Sequence, residues 1–267
     1  MTFSIIIINY RTPEMTAACL RSIFSYCPNA DGITWEIIAI DNNSADGSAE
    51  FLTKEFGEKI KLIKNTQNLG FATANNQGAR LARGRYLLFL NSDTLLTADI
   101  LSPVANLFLE NENSGVISPR LLLPDGTAQN GAYGKFPTLG GLIFKNRFVK
   151  KEEQKVNQPF ISDWVSGCAL FIRRELFEKI GGWDEKFFLY FEDVDLCRRV
   201  ARTGQKVIVD PRLSLIHFGG QSLKKNNDRR RHYYQAQNYY FQKYHGRLVM
   251  MLMKIMRWPY KMWQLRK

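Results

Sequence analysis

The sequence predicts an α/β fold: a mostly parallel, doubly wound sheet with helices on both faces, followed by a basic amphipathic helical tail. Three observations predict it. Short β-branched or aliphatic runs alternate with helical periodicity through the first half of the 267 residues, the pattern of strand–helix–strand units with right-handed crossovers. Those runs are mostly apolar, as in strands covered on both faces. Charge is also divided along the chain. Residues 223–267 hold twelve Lys or Arg against a single acid, Asp228, whereas the rest carries 25 basic and 24 acidic groups.

The elements follow in order. Phe3 to Ile8 is a strand. Pro13 to Tyr26 is a helix with Thr12 as N-cap and Pro13 at its first position. Trp35 to Ile40 is a second strand. After the turn Ser44-Ala45-Asp46-Gly47, a helix capped by Asp46 or Ser48 runs to about Phe56. Ile60 to Lys64 is a third strand, Ala72 to Ala82 a helix closed by Gly84, Arg85 to Leu90 a fourth strand, and Asp99 to Asn111 a helix. Gly131, Gly134, Pro137, Gly140 and Gly141 mark an irregular stretch, which with polar Lys145 to Gln158 reads as a mobile loop beside a site. Asp163 to Arg173 is a strand whose internal Gly167 signals close approach of a ligand or backbone. Arg174 to Ile180 is a short helix stopped by Gly181-Gly182. Glu192 to Thr203 is a helix closed by Gly204, Lys206 to Asp210 a strand, and His217 follows in a loop.

Composition narrows the class. With 45% hydrophobic and 23% charged residues the chain is globular, neither disordered nor collagenous. Its longest apolar runs are shorter than the ~18 residues that cross a bilayer. The N-terminus lacks a basic n-region and a small-residue cleavage site, so a cytoplasmic address is the expectation. Cys19, Cys27, Cys168 and Cys197 have no metal or redox spacing and read as reduced thiols filling the core.

Ligands of open α/β sheets sit beyond the carboxyl ends of the strands. Three such ends are unusually polar: Asn9-Tyr10-Arg11, Asp41-Asn42-Asn43 and Asn91-Ser92-Asp93. Each alone also reads as turn chemistry; three on one edge read as a site. No glycine-rich dinucleotide fingerprint and no phosphate loop with its lysine is present, so a nucleotide here would be held by side chains and a metal. Asp93 suits a hard divalent ion, Mg²⁺ or Mn²⁺, which shares oxygen ligands with substrate phosphates. The run FFLYFEDVDLC at 187–197 places Glu192, Asp193 and Asp195 at a helix start. Acids there also oppose the helix dipole, but a pocket carboxyl among aromatics has a raised pKa and serves as a base. Asp195 and Arg199, four apart, pair on the helix surface, leaving Asp193 on a different side. His217, before Phe218-Gly219-Gly220, is structural or a metal ligand, and imidazole suits Mn²⁺ better than Mg²⁺.

These residues carry a resemblance. IIIINYRT, IIAIDNNSADGS, NTQNLGFATANNQGAR, GRYLLFLNSDT and VSGCALFIRRELFEKIGGWDEKFFLYFEDVDLCRR, continuing to HFGG, span roughly residues 3–220. Together they resemble family-2 glycosyltransferases of the bacterial rhamnosyltransferase-like group. The resemblance implies a Rossmann-like GT-A fold that inverts the anomeric centre of a nucleotide-diphosphate sugar. It favours dTDP-rhamnose, while UDP-sugars suit the same motifs. Asn9, Tyr10, Arg11, Asp41 and Asn43 would lie along the nucleotide, with Asp41 accepting the pyrimidine N3–H. Gly70, Phe71 and Asn76 would border base and ribose. Asn91, Ser92 and Asp93 would occupy the D-x-D position, with Asn91 in place of the first acid and Asp93 kept as metal ligand. His217 would complete the metal shell. Glu192 and Asp193 would be the E-D pair, with Asp193 as catalytic base. Trp164, Ser166 and Gly167 would border sugar and acceptor.

A division follows: a transferase domain over 1–222, its nucleotide-binding half about 1–120 and acceptor half about 121–222, then a basic tail over 223–267. Basic residues recur in the tail among methionines and aromatics from Leu248 to Trp263, which suits a helix on the anionic inner face of the cytoplasmic membrane, where a lipid-linked saccharide acceptor would be. The alternative is a helix packed on the body or in a homodimer interface. Two other functions compete: a catalytically degenerate sugar-nucleotide-binding scaffold, and a nucleic-acid binder using Arg229-Arg230-Arg231 with Tyr233, Tyr234, Tyr239 and Tyr240. The latter gives no reason for the acids at 192–195, so no nucleic-acid partner is expected.

Overall fold

The computed structural model describes residues 1–27, 32–143, 157–219 and 228–265; most of the loop expected over Lys145 to Gln158 lies outside them. The first half follows the expected alternation: β1 (Phe3–Asn9), α1 (Pro13–Tyr26), β2 (Trp35–Asp41), α2 (Ser48–Phe56), β3 (Lys61–Lys64), α3 (Gly70–Leu81) and β4 (Tyr86–Asn91). These strands pair in parallel in the order β3-β2-β1-β4. The chain steps outward from β1 to β2 and inward from β3 to β4. Crossovers of one hand therefore set α1 and α3 on opposite faces, and Phe3 to Ile7 between them are fully buried.

The second half is mixed. β5 (Thr94–Leu96), α4 (Leu101–Glu110) and β6 (Ser114–Leu122) lead to β7 (Tyr133–Gly134) and α5 (Leu139–Ile143). After them come β8 (Phe160–Ser162), β9 (Trp164–Val165), β10 (Ala169–Arg173), α6 (Arg174–Lys179), α7 (Glu192–Ala201), β11 (Lys206–His217) and α8 (Arg229–Leu265). β10 enters antiparallel between β4 and β6, and β11 runs parallel to β6. All four cysteines are buried free thiols, and burial pushes Cys19, Cys27 and Cys197 up to about 12.

Several expectations are corrected. The strand expected over 163–173 is two, β9 and β10, interrupted at Ser166–Cys168 where the backbone turns to meet α7. β11 extends to His217, which pairs with Thr94 of β5, so the histidine ends a strand rather than lying in a loop. Thr12 precedes α1 but makes no capping hydrogen bond; its hydroxyl lies 3.3 Å from Ser92 Oγ. Gly84 does not close α3, which ends at Leu81. A Cβ at 84 would lie 2.4 Å from the Ser4 amide nitrogen, and the Gly84 amide donates to Ser4 Oγ at 2.8 Å, so the glycine admits β1.

The tail is a hairpin, not one straight helix. Gly246, at φ 86° and ψ 168°, breaks α8, and the second limb returns along the first. Arg257 Nη1 donates to Gln237 Oε1 at 2.6 Å. Met253 packs with Ala236, Tyr240 and Phe241 over Phe187, Phe191 and Val194. Polar contacts tie the first limb down: Lys243 Nζ donates to Asp184 Oδ2 at 2.7 Å and Asp195 Oδ1 at 2.5 Å, and Tyr239 Oη to Asp184 Oδ2 at 2.8 Å. Tyr239 and Tyr240 are thus engaged with the body instead of being offered to a partner. The second limb leaves Leu248, Met251, Leu252, Ile255 and Met256 exposed, an i, i+3, i+4, i+7, i+8 stripe.

Candidate active site

The carboxyl ends of β1 and β4, the start of α7, the end of β11 and the start of α8 surround a cavity of about 770 Å³. Tyr10, Asn91, Ser92 and Asp93 line it at the strand ends, and Gly70 and Phe71 at the start of α3. Trp164, Ser166, Gly167, Glu192, Asp193 and His217 line it from the second half. Glycine is required at 70, where φ is +78° and a Cβ would lie 2.5 Å from the Phe188 carbonyl oxygen.

Five expected nucleotide residues do not line this cavity. Asn9 and Asp41 lie beneath it: Asn9 Nδ2 donates to Asp41 Oδ1 at 2.6 Å, and Ser44 Oγ donates to the same oxygen at 2.5 Å. Arg11 donates its amide to Ser44 Oγ at 2.9 Å, and Asn43 turns the chain at φ 62°. Asn76 lines a separate cleft of about 800 Å³. Its Nδ2 donates to the Trp183 carbonyl at 2.9 Å and its Oδ1 accepts the Trp183 amide at 2.9 Å. These residues brace the strand ends rather than face the cavity.

Other lining residues carried no individual signal. Asn42 accepts the Leu69 amide at 3.1 Å and donates to Asn68 Oδ1 at 2.9 Å, fixing the loop before α3. Its place in a polar strand-end cluster was the available clue. Asn75 and Gln129 add amides, and Phe188, Tyr190, Arg229 and Tyr233 form an aromatic and cationic side.

The acids differ in environment. Burial pushes the Asp193 carboxyl above the usual carboxylate range, opposed by amides that favour the charged form: Gly167 donates to Oδ2 at 3.1 Å and Val194 to Oδ1 at 2.8 Å. Glu192 is raised well above that range, first by burial and then by Asp193 beside it, and among the described residues its Oε2 has no hydrogen-bond partner. The two amides favour the charged form of Asp193, whereas burial and the neighbouring Asp193 charge favour the neutral form of Glu192. Asp195 is no part of this pair: Arg199 Nε donates to its Oδ2 at 2.8 Å on the far side of α7, as the spacing predicted.

Asp93 and His217 meet across β5 and β11, with Nε2 3.2 Å from Asp93 Oδ1. Among the described residues the buried His217 Nε2 makes no hydrogen bond, while Nδ1 lies 2.6 Å from Gln129 Oε1. That amide oxygen only accepts, so Nδ1 donates there and Nε2 is the ring nitrogen left facing the aspartate. An imidazole lone pair beside a carboxylate fits a divalent cation. Among the described residues no group of three or more His, Cys, Asp or Glu could hold one, so the remaining ligands would come from substrate and water.

Known proteins resemble this chain in sequence and in fold. The chain is 24% identical over 226 residues to N-acetylglucosaminyl-diphospho-decaprenol L-rhamnosyltransferase of Mycobacterium tuberculosis, covering 77% of this chain and 73% of that protein. It is 26% identical over 205 residues to rhamnosyltransferase WbbL of Escherichia coli, covering 71% and 75%. Two solved structures share its fold. Mannosyltransferase PcManGT from Pyrobaculum calidifontis, in complex with GDP-Man and Mn²⁺, gives a TM-score of 0.62 at 19% identity, over 90% of this chain and 63% of that one. GalNAc-T7 with UDP, GalNAc and Mn²⁺ gives 0.63 at 17%, over 81% and 44%. The fold is GT-A, and this chain spans less than two thirds of either solved chain. The sequence model described as glycosyl transferase family 2 matches residues 4–181, and the chain belongs to that family.

Proposed function

We propose that the protein is an inverting glycosyltransferase of cell-surface polysaccharide biosynthesis that moves rhamnose from a nucleoside-diphosphate donor to a hydroxyl of a lipid-linked saccharide. The observation that carries this reading is one cavity with two separated chemistries, a lone-pair histidine beside Asp93 at one strand end and Asp193 at the start of α7. The rhamnosyltransferase relatives support the sugar and, in one case, a polyprenyl-diphosphate-linked acceptor.

Asp93 Oδ1 and His217 Nε2 would hold the divalent ion, which when bound offsets charge on the donor diphosphate. Asp193, ionised while Glu192 stays protonated, takes the proton of the acceptor hydroxyl. That oxygen attacks the anomeric carbon. The bond from the anomeric carbon to the diphosphate oxygen breaks, its electron pair leaving with the nucleoside diphosphate. Attack opposite the leaving group inverts the centre. Gly167 and Val194 amides keep the Asp193 carboxylate aimed.

The protein would work at the inner face of the cytoplasmic membrane. No helix among the described residues is long and apolar enough to cross a membrane, but the exposed stripe of α8 lies in a segment rich in Lys and Arg, which suits interfacial binding. The deciding experiment is donor binding and hydrolysis across a panel of nucleotide sugars with Mn²⁺, Mg²⁺ or EDTA. A metal-dependent response to dTDP-rhamnose is expected; a folded protein that binds no donor would shift the reading to a degenerate scaffold.

A further inference from the structure

α8 brings a cation into a cavity otherwise lined by acids and neutral groups. Among the described lining residues Arg229 is the one Lys or Arg, in a cavity that Asp93, Glu192 and Asp193 also line. Its Nε donates to Tyr190 Oη at 2.9 Å, and among the described residues no other hydrogen bond engages its guanidinium. Tyr190 and Phe191 hold left-handed backbone, φ 73° and 67°, immediately before the acidic pair. Tyr233, one helical turn beyond Arg229, also lines the cavity and sets its ring edge-on to Tyr190 at 5.6 Å. The first limb thus fixes a strained turn and leaves donors of a planar fork at the cavity wall. Such a fork matches the paired oxygens of a phosphate.

The position selects among phosphates. Asp93 and His217 serve the donor diphosphate in the function proposed above, and this inference rests on that reading. Arg229 sits instead against the segment leading into Asp193, the side from which an acceptor hydroxyl must come. The hairpin then runs its second limb back along the first, carrying Leu248, Met251, Leu252, Ile255 and Met256 outward. We propose that Arg229, held by Tyr190 and flanked by Tyr233, recognises the diphosphate of the lipid-linked acceptor.

The test uses the full chain and farnesyl diphosphate as probe, in EDTA so that no metal recruits the diphosphate to Asp93 and His217. Because Arg229 is exposed, Arg229→Gln should fold as wild type, verified by its melting curve. Wild type should bind the probe and Arg229→Gln should bind it about tenfold more weakly or worse, the loss of a charge-assisted contact. Arg229→Lys, a point charge without the fork, should fall between them. Nucleoside diphosphate binding in Mn²⁺ should stay within about twofold across the three proteins. Equal probe affinity in wild type and Arg229→Gln, or no binding by wild type, would overturn the proposal. So would a loss confined to nucleoside diphosphate, which would assign Arg229 to the donor. A wild-type chain that binds no nucleotide sugar yet shows Arg229-dependent probe binding would instead remove the transferase reading, so the two failures read separately.

Discussion

Asp193 and Glu192 are neighbours in sequence with opposite assignments, and the difference comes from their donors. Two backbone amides support the Asp193 charge; none of the described residues supports Glu192 Oε2. Asp193→Asn should lower transfer by ~10²–10⁴-fold, the usual size of general-base help, while nucleoside diphosphate affinity measured by titration calorimetry stays unchanged. The base acts deprotonated, and burial raises its pKa. The acid limb of kcat/KM should therefore lie above the ordinary carboxylate range, with activity falling as pH drops through it, and should vanish in Asp193→Asn. Gln129 makes a quieter prediction. It lines the cavity and holds His217 Nδ1 at 2.6 Å, so Gln129→Ala should weaken Mn²⁺ affinity by about 10–100-fold, read by electron paramagnetic resonance, with the melting temperature preserved. Asp93 and Asp193 are legible in the sequence because each ends or begins a recognisable element. Gln129 is not, because its role exists only where an irregular loop crosses β11.

At the scale of elements, the site depends on a contact between α3 and the loop that launches α7. Phe71 donates its amide to the Phe188 carbonyl at 2.8 Å, and Gly70 at φ +78° clears that same oxygen. Gly70→Ala demands a left-handed alanine and a Cβ inside that contact. It should destabilise by at least ~1–2 kcal/mol, measured by urea unfolding, and lower activity in the surviving folded fraction by moving the 187–191 segment. β1, β2 and β4 are legible as predominantly apolar runs because parallel strands bury both faces. β9 and β10 are not legible as separate strands: the break at Ser166–Cys168 follows from the Gly167 amide reaching Asp193, and nothing local in Asp163 to Arg173 announces it.

For the whole molecule, the tail joins two features that the linear order separates. Its first limb closes the cavity with Arg229 and Tyr233, and its second limb presents the apolar stripe. Replacing Leu252 and Ile255, both exposed, by Glu should abolish flotation with vesicles containing anionic lipid, because it removes apolar contact and adds repulsion. Donor hydrolysis in solution should persist. Undiminished flotation would assign the stripe to another partner.

The amino-acid sequence alone determined the strand–helix alternation, the polar strand ends, the acidic start of α7 and the family, since each is written in short-range periodicity or contiguous motifs. Tertiary structure alone decided which of those residues meet. His217 reaches Asp93 because β11 pairs with β5, Asn9 and Asp41 support the cavity from below, Asn76 turns to Trp183, and the first limb of α8 sets Arg229 against Tyr190 at the cavity wall. The physical reason is that these contacts join residues tens to more than a hundred positions apart, and their partners are fixed by sheet order and packing, which no local pattern records.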